Sequence, residues 1–296
     1  MSRTIALRIF FSLILAGAIA IGFACQGGRS PNERRYNLKG KVIAVDKTAR
    51  TATIAHEDIQ GYMPAMTMPF AVKKDSDLEI LKPGNLITAD LVIDGPSSWI
   101  EISTVADDVP DDPNADVAGE PSRGEEVPDF KLVNQDGQPI HLSQYRGKAL
   151  VLTFIYTRCP LPDYCPLMSE NFHQIDQELE KQPELYAKTH LLSISFDTDY
   201  DTPKVLRSYG AGHTGRYSNE RFEHWEFATG TPDEVKGVAQ YFGLQYYHDT
   251  ESGQDQMIHS LRTAVIDPDG KLVKSYRNNR WKPEEILADL RALVSK

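Results

Sequence analysis

The sequence predicts two folded units joined by an acidic linker: a small all-β barrel, then an α/β domain. Three observations carry this. At 296 residues with 41% hydrophobic content, the chain is longer than one ordinary domain and apolar enough to fill more than one core. Short alternating runs bounded by turn residues fill positions 36–105, whereas from position 127 long apolar runs alternate with amphipathic helical stretches. Between them, "ADDVPDDPNADVAGEPSRGEE" (106–126) carries eight acidic side chains and a single Arg among Pro, Gly and Ala, a composition that repels itself and buries little. The formal net charge of −10 and pI near 5.3 come with no basic stripe, which argues against a nucleic-acid surface.

The first segment, "MSRTIALRIFFSLILAGAIAIGFAC", has Arg3 and Arg8, an apolar run from Ile9 to Ala24, and small residues before a polar break. That layout is an export signal over 1–24, short for a membrane span. "GFAC" resembles a bacterial lipoprotein processing site, although Gly22 stands where that pattern usually has Leu. The resemblance implies a mature chain beginning at a lipidated Cys25, with 25–35 as a polar tether on the periplasmic side of a bacterial membrane. Ordinary cleavage with Cys25 left free, or an uncleaved anchor, are the alternatives.

Within 36–105, "LKGKVIAVD", "TATIAH", "MTMPFAV", "LITADLVI" and "WIEIST" read as strands, separated by turns such as "KPGN" and "DGPSS". About five strands in some seventy residues are too few for two sheets and suggest a small closed barrel of the OB type. From Val127, "ALVLTFIYTR" and "HLLSISFD" are continuous apolar runs suited to central strands covered on both faces. "PDEVKGVAQYFGL" spaces Val235, Val238, Ala239 and Phe242 as one face of a helix, with Pro232 before it and Gly243 at its end. "SLRTAVIDPDGKLVKSYR" reads as a hairpin turning at "DPDG", and "KPEEILADLRALV" as a closing helix. This order is compatible with a thioredoxin-like sheet over 127–296.

Leaving Cys25 aside, Cys159 and Cys165 form an even pair in an oxidising compartment, where a disulfide is permitted. One pair is no framework for so long a chain. "FIYTRCPLPDYCPLMSENF" places Cys159 just past the carboxyl end of a central strand and Cys165 at the start of a helix, where α/β sheets usually build their sites. The helix N-terminus is expected to lower the pKa of at least Cys165. A structural disulfide is the plainer alternative. His259, just before a strand, is by itself an ordinary loop or core histidine.

The stretch from Val127 to the C-terminus resembles the Sco/SenC family, copper proteins of thioredoxin fold that help assemble cytochrome c oxidase. The resemblance rests on "VPDFKLVNQDGQPIHLSQYRGKALVLTFIYTRCP…CPLM", "SFDTDYDTP" and "HSLRTAVIDPDGKLV", in the family's order. It implies that Cys159, Cys165 and His259 hold copper, with Asp197 and Asp201 in the acidic segment near the site. The family usually has three residues between its cysteines; here "PLPDY" puts five. Two thiolates and an imidazole are a soft set suited to Cu(I), and an added oxygen would complete a Cu(II) site; zinc accepts the same ligands.

"GYMPAMTMPF" packs Met63, Met66 and Met68, half of the chain's six methionines, into six positions. In a strand, Met66 and Met68 share a face, either as plain core or, with His56 one strand earlier, as a neutral sulfur and nitrogen set that selects Cu(I). The segment 36–105 resembles the CusF-like periplasmic copper-binding domain, whose ligands carry over onto His56, Met66 and Met68. Where that family places a Trp over the copper, this chain has Met63 beside Tyr62, which makes Met63 a candidate fourth ligand.

The leading expectation is therefore a lipid-tethered periplasmic copper metallochaperone delivering to an acceptor, which the Sco/SenC resemblance implies is a cytochrome c oxidase subunit, with the linker letting the domains meet. Two alternatives stand beside it. One is a thiol–disulfide oxidoreductase working through Cys159 and Cys165 on a partner's cysteines. The other is copper sequestration without delivery.

Overall fold

The computed structural model describes residues 33–107, 113–114, 119–249 and 256–295. The expected signal, Cys25 and the segment before position 33 lie outside the described residues. Among those residues, no helix is long and apolar enough to cross a membrane.

The N-terminal unit is built from β1 (Glu33–Asp46), β2 (Thr51–His56), β3 (Met66–Ala71), a short helix α1 (Asp75–Ile80), β4 (Asn85–Asp94) and β5 (Ser97–Asp107). They form one antiparallel sheet in the order β3-β2-β1-β4-β5. Alternation decides which side faces in: β2 buries Ala52, Ile54 and His56 and turns the residues between them outward. Leu38, Val42, Ile54, Phe70, Ile87, Leu91, Ile100 and Ile102 fill the interior. Register shifts at Val42/Ala44 and Thr88/Ala89 bend the sheet. Its edges meet at the isolated bridge Val72–Ile100, not along a continuous ladder, so the curl is barrel-like with a seam. The helix α1 lies between expected strands and was not legible, its six residues being too few to show a period.

The C-terminal unit contains β6 (Lys131–Asn134), β7 (Pro139–His141), β8 (Ala149–Ile155), α2 (Cys165–Glu180), α3 (Pro183–Ala187), β9 (Thr189–Ser195), α4 (Pro203–Thr214), β10 (Trp225–Thr229) and α5 (Pro232–Tyr241). It continues with β11 (Tyr246–Asp249), β12 (Gln256–His259), β13 (Thr263–Ile266), β14 (Leu272–Tyr276) and α6 (Pro283–Val294). A seven-stranded sheet runs β14-β13-β8-β9-β10-β6-β7, with β8, β9 and β10 parallel. Every residue of β8 and β9 is buried, the polar Thr189, His190, Ser193 and Ser195 of β9 included, as central strands covered on both faces require. The helix α2 packs on β8, α4 and α6, which makes this a thioredoxin-like α/β unit. Thr231 and Glu234 close a reciprocal cap at the start of α5, just ahead of the apolar face the sequence exposed.

Among its described residues, the acidic stretch departs from its composition at Glu120. The Glu120 side chain is only 6% exposed and pairs with two buried arginines, Arg262 at 2.7 Å and Arg277 at 2.8 Å. Charge density alone placed it in solvent; two cationic partners supply the desolvation energy that a lone carboxylate lacks. The end of the expected linker is thus clamped to the α/β unit.

The strands β11 and β12 form a separate two-stranded ribbon outside the main sheet. His259, expected immediately before a strand, is instead the last residue of β12.

Candidate metal centre

Three elements bring Cys159, Cys165 and His259 together. Cys159 sits in the loop leaving β8. Asp201 fixes the root of that loop: its carboxylate accepts from the Thr157 amide at 2.9 Å, from the Thr157 hydroxyl and from the Ser195 hydroxyl at 2.5 Å. Arg158 turns away from the cysteines onto Asp197, at 2.8 Å, and over the Tyr200 ring. Cys165 is the first residue of α2 and is fully buried. His259 comes from the ribbon.

The His259 Nε2 lies 3.9 Å from the Cys159 sulfur and 3.8 Å from the Cys165 sulfur. All three donor atoms fall within 4.8 Å of one another. The other ring nitrogen, Nδ1, is 2.7 Å from the Ser260 carbonyl. A carbonyl oxygen can only accept, so Nδ1 carries a proton and Nε2 faces the sulfurs, as a lone pair for a metal when the ring is neutral and as a donor to the Cys159 thiolate when it is protonated. The rings of Tyr156 and Tyr164 stand edge-on to the imidazole at 5.5 Å each, and Phe196 lies 5.0 Å away. Sequence reasoning missed these aromatic walls, although Tyr156 and Tyr164 flank the two cysteines by position.

Charge is divided unequally between the sulfurs. The Cys165 side chain, as a hydrogen-bond donor, and then His259 hold the Cys159 thiol down to about 4. Burial pushes Cys165 well above the ordinary thiol range, and the thiolate of Cys159 adds to this. The expectation that the helix N-terminus would lower Cys165 is therefore corrected. A half-charge at a helix end is outweighed by complete loss of solvent, and the pair keeps its one negative charge on the better-hydrated sulfur.

In the barrel, β2 and β3 pair His56 directly with Met66 and Ile54 with Met68. On one face of such a ladder, directly opposed side chains have Cβ atoms about 5 Å apart and diagonal ones about 7–8 Å, within reach of long thioethers. His56 repeats the arrangement of His259: Nδ1 lies 2.7 Å from the Glu57 carbonyl, and Nε2 is buried with no hydrogen-bond partner. A buried nitrogen lone pair left open on the strand face it shares with Met66 and Met68 fits a soft cation. Met63 and Met68 pack against the barrel core, whereas Met66 is 45% exposed, the behaviour of a ligand at a mouth more than of a core side chain. Tyr62 stacks on Tyr36 at 4.7 Å beside them.

Gly40 sets the spacing of that strand pair. It pairs with His56, and a Cβ on it would lie 2.6 Å from Ile54 Cγ2, 2.7 Å from the Ala55 carbonyl oxygen and 2.8 Å from His56 Cα. Gly40→Ala is expected to cost the barrel about 1–3 kcal/mol through overpacking. Calorimetry of the full chain checks this; a barrel transition unmoved by the methyl group would refute it.

Residues 118–295 match the family model SCO1/SenC, well over half of the chain. The chain belongs to the SCO1/SenC family. Residues 35–103 match a second family model, the copper binding periplasmic protein CusF. Among curated relatives, the SCO1 protein homolog of Bacillus subtilis (strain 168) is 27% identical over 171 residues, covering 56% of this chain and 82% of that protein. The mitochondrial SCO2 homolog of mouse is 26% identical over 170 residues, 56% of this chain and 62% of that protein. Among solved structures, Bradyrhizobium japonicum ScoI with copper bound aligns with a TM-score of 0.47 and 26% identity, over 57% of this chain and 99% of that one. The SCO1/SenC match holds Cys159, Cys165 and His259; the CusF match holds His56, Met63, Met66 and Met68.

Proposed function

We propose that this chain is a periplasmic copper carrier that takes Cu(I) as cargo at two places and hands it to an acceptor protein, a copper centre of cytochrome c oxidase being the acceptor its family suggests. The observation that carries the reading is the convergence of three soft donors from three elements within 4.8 Å, with the histidine Nε2 directed at the sulfurs. Cys159, Cys165 and His259 hold one ion. His56, Met66 and Met68, with Met63 as the fourth donor, hold the other. The match of 35–103 to a copper binding periplasmic protein supports both the second site and the compartment. A lipid on Cys25 would keep the chain at the membrane surface, beside a membrane-bound acceptor.

The two sites differ in their protons. Thioethers and a neutral imidazole bind without deprotonation, whereas a buried thiol must lose its proton to ligate. With Cys159 already a thiolate near neutral pH, binding at the C-terminal site releases the proton of Cys165 alone. In an anaerobic Cu(I) competition titration of the reduced chain, two equivalents are expected. His259→Ala loses one, Met66→Ala/Met68→Ala loses the other, and proton release near pH 7 accompanies only the C-terminal one. Absence of tight binding in the parent would sink the carrier reading.

The unequal sulfurs also favour a second reading, thiol–disulfide exchange. A thiolate on the more exposed Cys159 beside a protonated, buried Cys165 is the arrangement of an attacking and a resolving cysteine. Reduction of a partner's disulfide that survives His259→Ala but not Cys159→Ser would favour it over copper carriage.

A further inference from the structure

The ribbon that carries His259 has two faces, and each faces a different unit. Tyr246 is paired with His259 and Tyr247 with Ile258. Because side chains alternate along a strand, Tyr246 and His259 share one face while Tyr247 and Ile258 share the other. The first face closes on the α/β unit: Tyr246 packs against Phe196 at 5.1 Å, and Met257, which has the same parity as His259, is buried in that core. The second face belongs to the barrel. Ile258 is 2% exposed and lies in the barrel's apolar cluster with Ile54, Leu91 and Ile100, and Tyr247 packs against the same cluster. The Tyr247 hydroxyl donates to Asp77, a fully buried carboxylate on α1 that also accepts from the Ile102 amide of β5 at 3.3 Å. A second neighbour of His259 faces the barrel as well, since Tyr164 lines one cleft with Thr104 of β5.

An isolated two-stranded ribbon is at best marginally stable in water, and this one takes no ladder from the main sheet. Its order therefore depends on what covers both faces. We propose that the barrel, seated on the outer face of the ribbon through Tyr247, Ile258 and Asp77, is the element that positions His259 against the two cysteines, so that docking of the barrel sets copper affinity at the C-terminal site. The inference rests on the copper-carrier reading for its ligand. Asp77 and Tyr247 act through His259 and are positioning residues.

The test uses the full chain carrying Met66→Ala/Met68→Ala, so that only the C-terminal site is read. Asp77→Ala and Tyr247→Phe, singly and together, remove the hydrogen bond from opposite sides; Ile258→Ala thins the apolar seat. Each is expected to weaken Cu(I) binding by about 10- to 100-fold, as loss of an outer-shell partner of a ligating histidine does. The double variant should be no worse than the more affected single one. The Cu(II) form should show a shifted thiolate charge-transfer band, and the Met257–His259 amides should exchange faster, neither of which a plain loss of barrel stability would produce with the barrel still folded. Unchanged affinity and an unchanged band in all the variants would overturn the inference. Lack of tight Cu(I) binding in the parent would instead overturn the carrier reading, and amide exchange at the ribbon would still decide whether the barrel orders it.

Discussion

Glu120→Ala is expected to destabilise the C-terminal unit by about 3–5 kcal/mol, the cost of breaking a buried ion pair from one side. The wild-type carboxylate is fully used, with Arg262 on one oxygen and Arg277 on the other, and all three side chains are at most 6% exposed. Truncation leaves two guanidiniums in the interior. Arg262 retains the carbonyls of Phe242 and Leu261, whose dipoles do not replace the lost carboxylate. Arg277 loses the carboxylate that faces its Nε. The consequence extends toward the metal centre, because the Arg262 carbonyl accepts from Phe154 and Thr153 of β8, three residues along the chain from His259. Urea denaturation of the full chain measures the effect. Glu120→Gln should fall between parent and Ala, since an amide can still accept one hydrogen bond. Glu125→Ala, an exposed position in the same acidic stretch, should lie within about 0.5 kcal/mol of the parent. A loss below about 1 kcal/mol for Glu120→Ala would mean that water reaches the arginines and the clamp is not structural.

That residue marks the boundary of what the sequence disclosed. Strands with clean alternation, such as Thr51–His56, and with unbroken apolar runs, such as Ala149–Ile155, were legible because burial imposes a period or removes it. The capped helix at Pro232–Tyr241 was legible for the same reason. Glu120 was not, because composition averages over a stretch while burial is decided residue by residue by partners 142 and 157 positions away. The ribbon escaped notice too: "YYHD" and "QMIH" are four residues each, too short to show a period, and their pairing is a tertiary fact. At the metal centre, the residue types announced the chemistry but not the charge distribution. Position at a helix start pointed to Cys165 as the anionic sulfur, and only its complete burial reverses the order.

His259→Ala is expected to remove copper from the C-terminal site and to change Cys159 even in the absence of metal. In the parent, alkylation of Cys159 by iodoacetamide should follow a thiolate that is formed above about 4, so its rate stays level from neutral pH down to mild acid and falls only as pH drops through that value. The histidine contributes a hydrogen bond and charge to this, second to the Cys165 side chain. Removing an interaction of that kind raises a thiol pKa by about 1–3 units, so at pH 5 most of the thiolate would be lost. The midpoint should still remain below that of a free thiol, because Cys165 goes on donating. Cys165→Ala should shift it further than His259→Ala does, and Cys165→Ser, which keeps a donor, should shift it least. Mass spectrometry of the anaerobically alkylated chain, across pH, gives each midpoint. Were His259→Ala to leave the Cys159 profile in place, the imidazole would have no electrostatic hold on the sulfur, and its distance of 3.9 Å would count as packing alone.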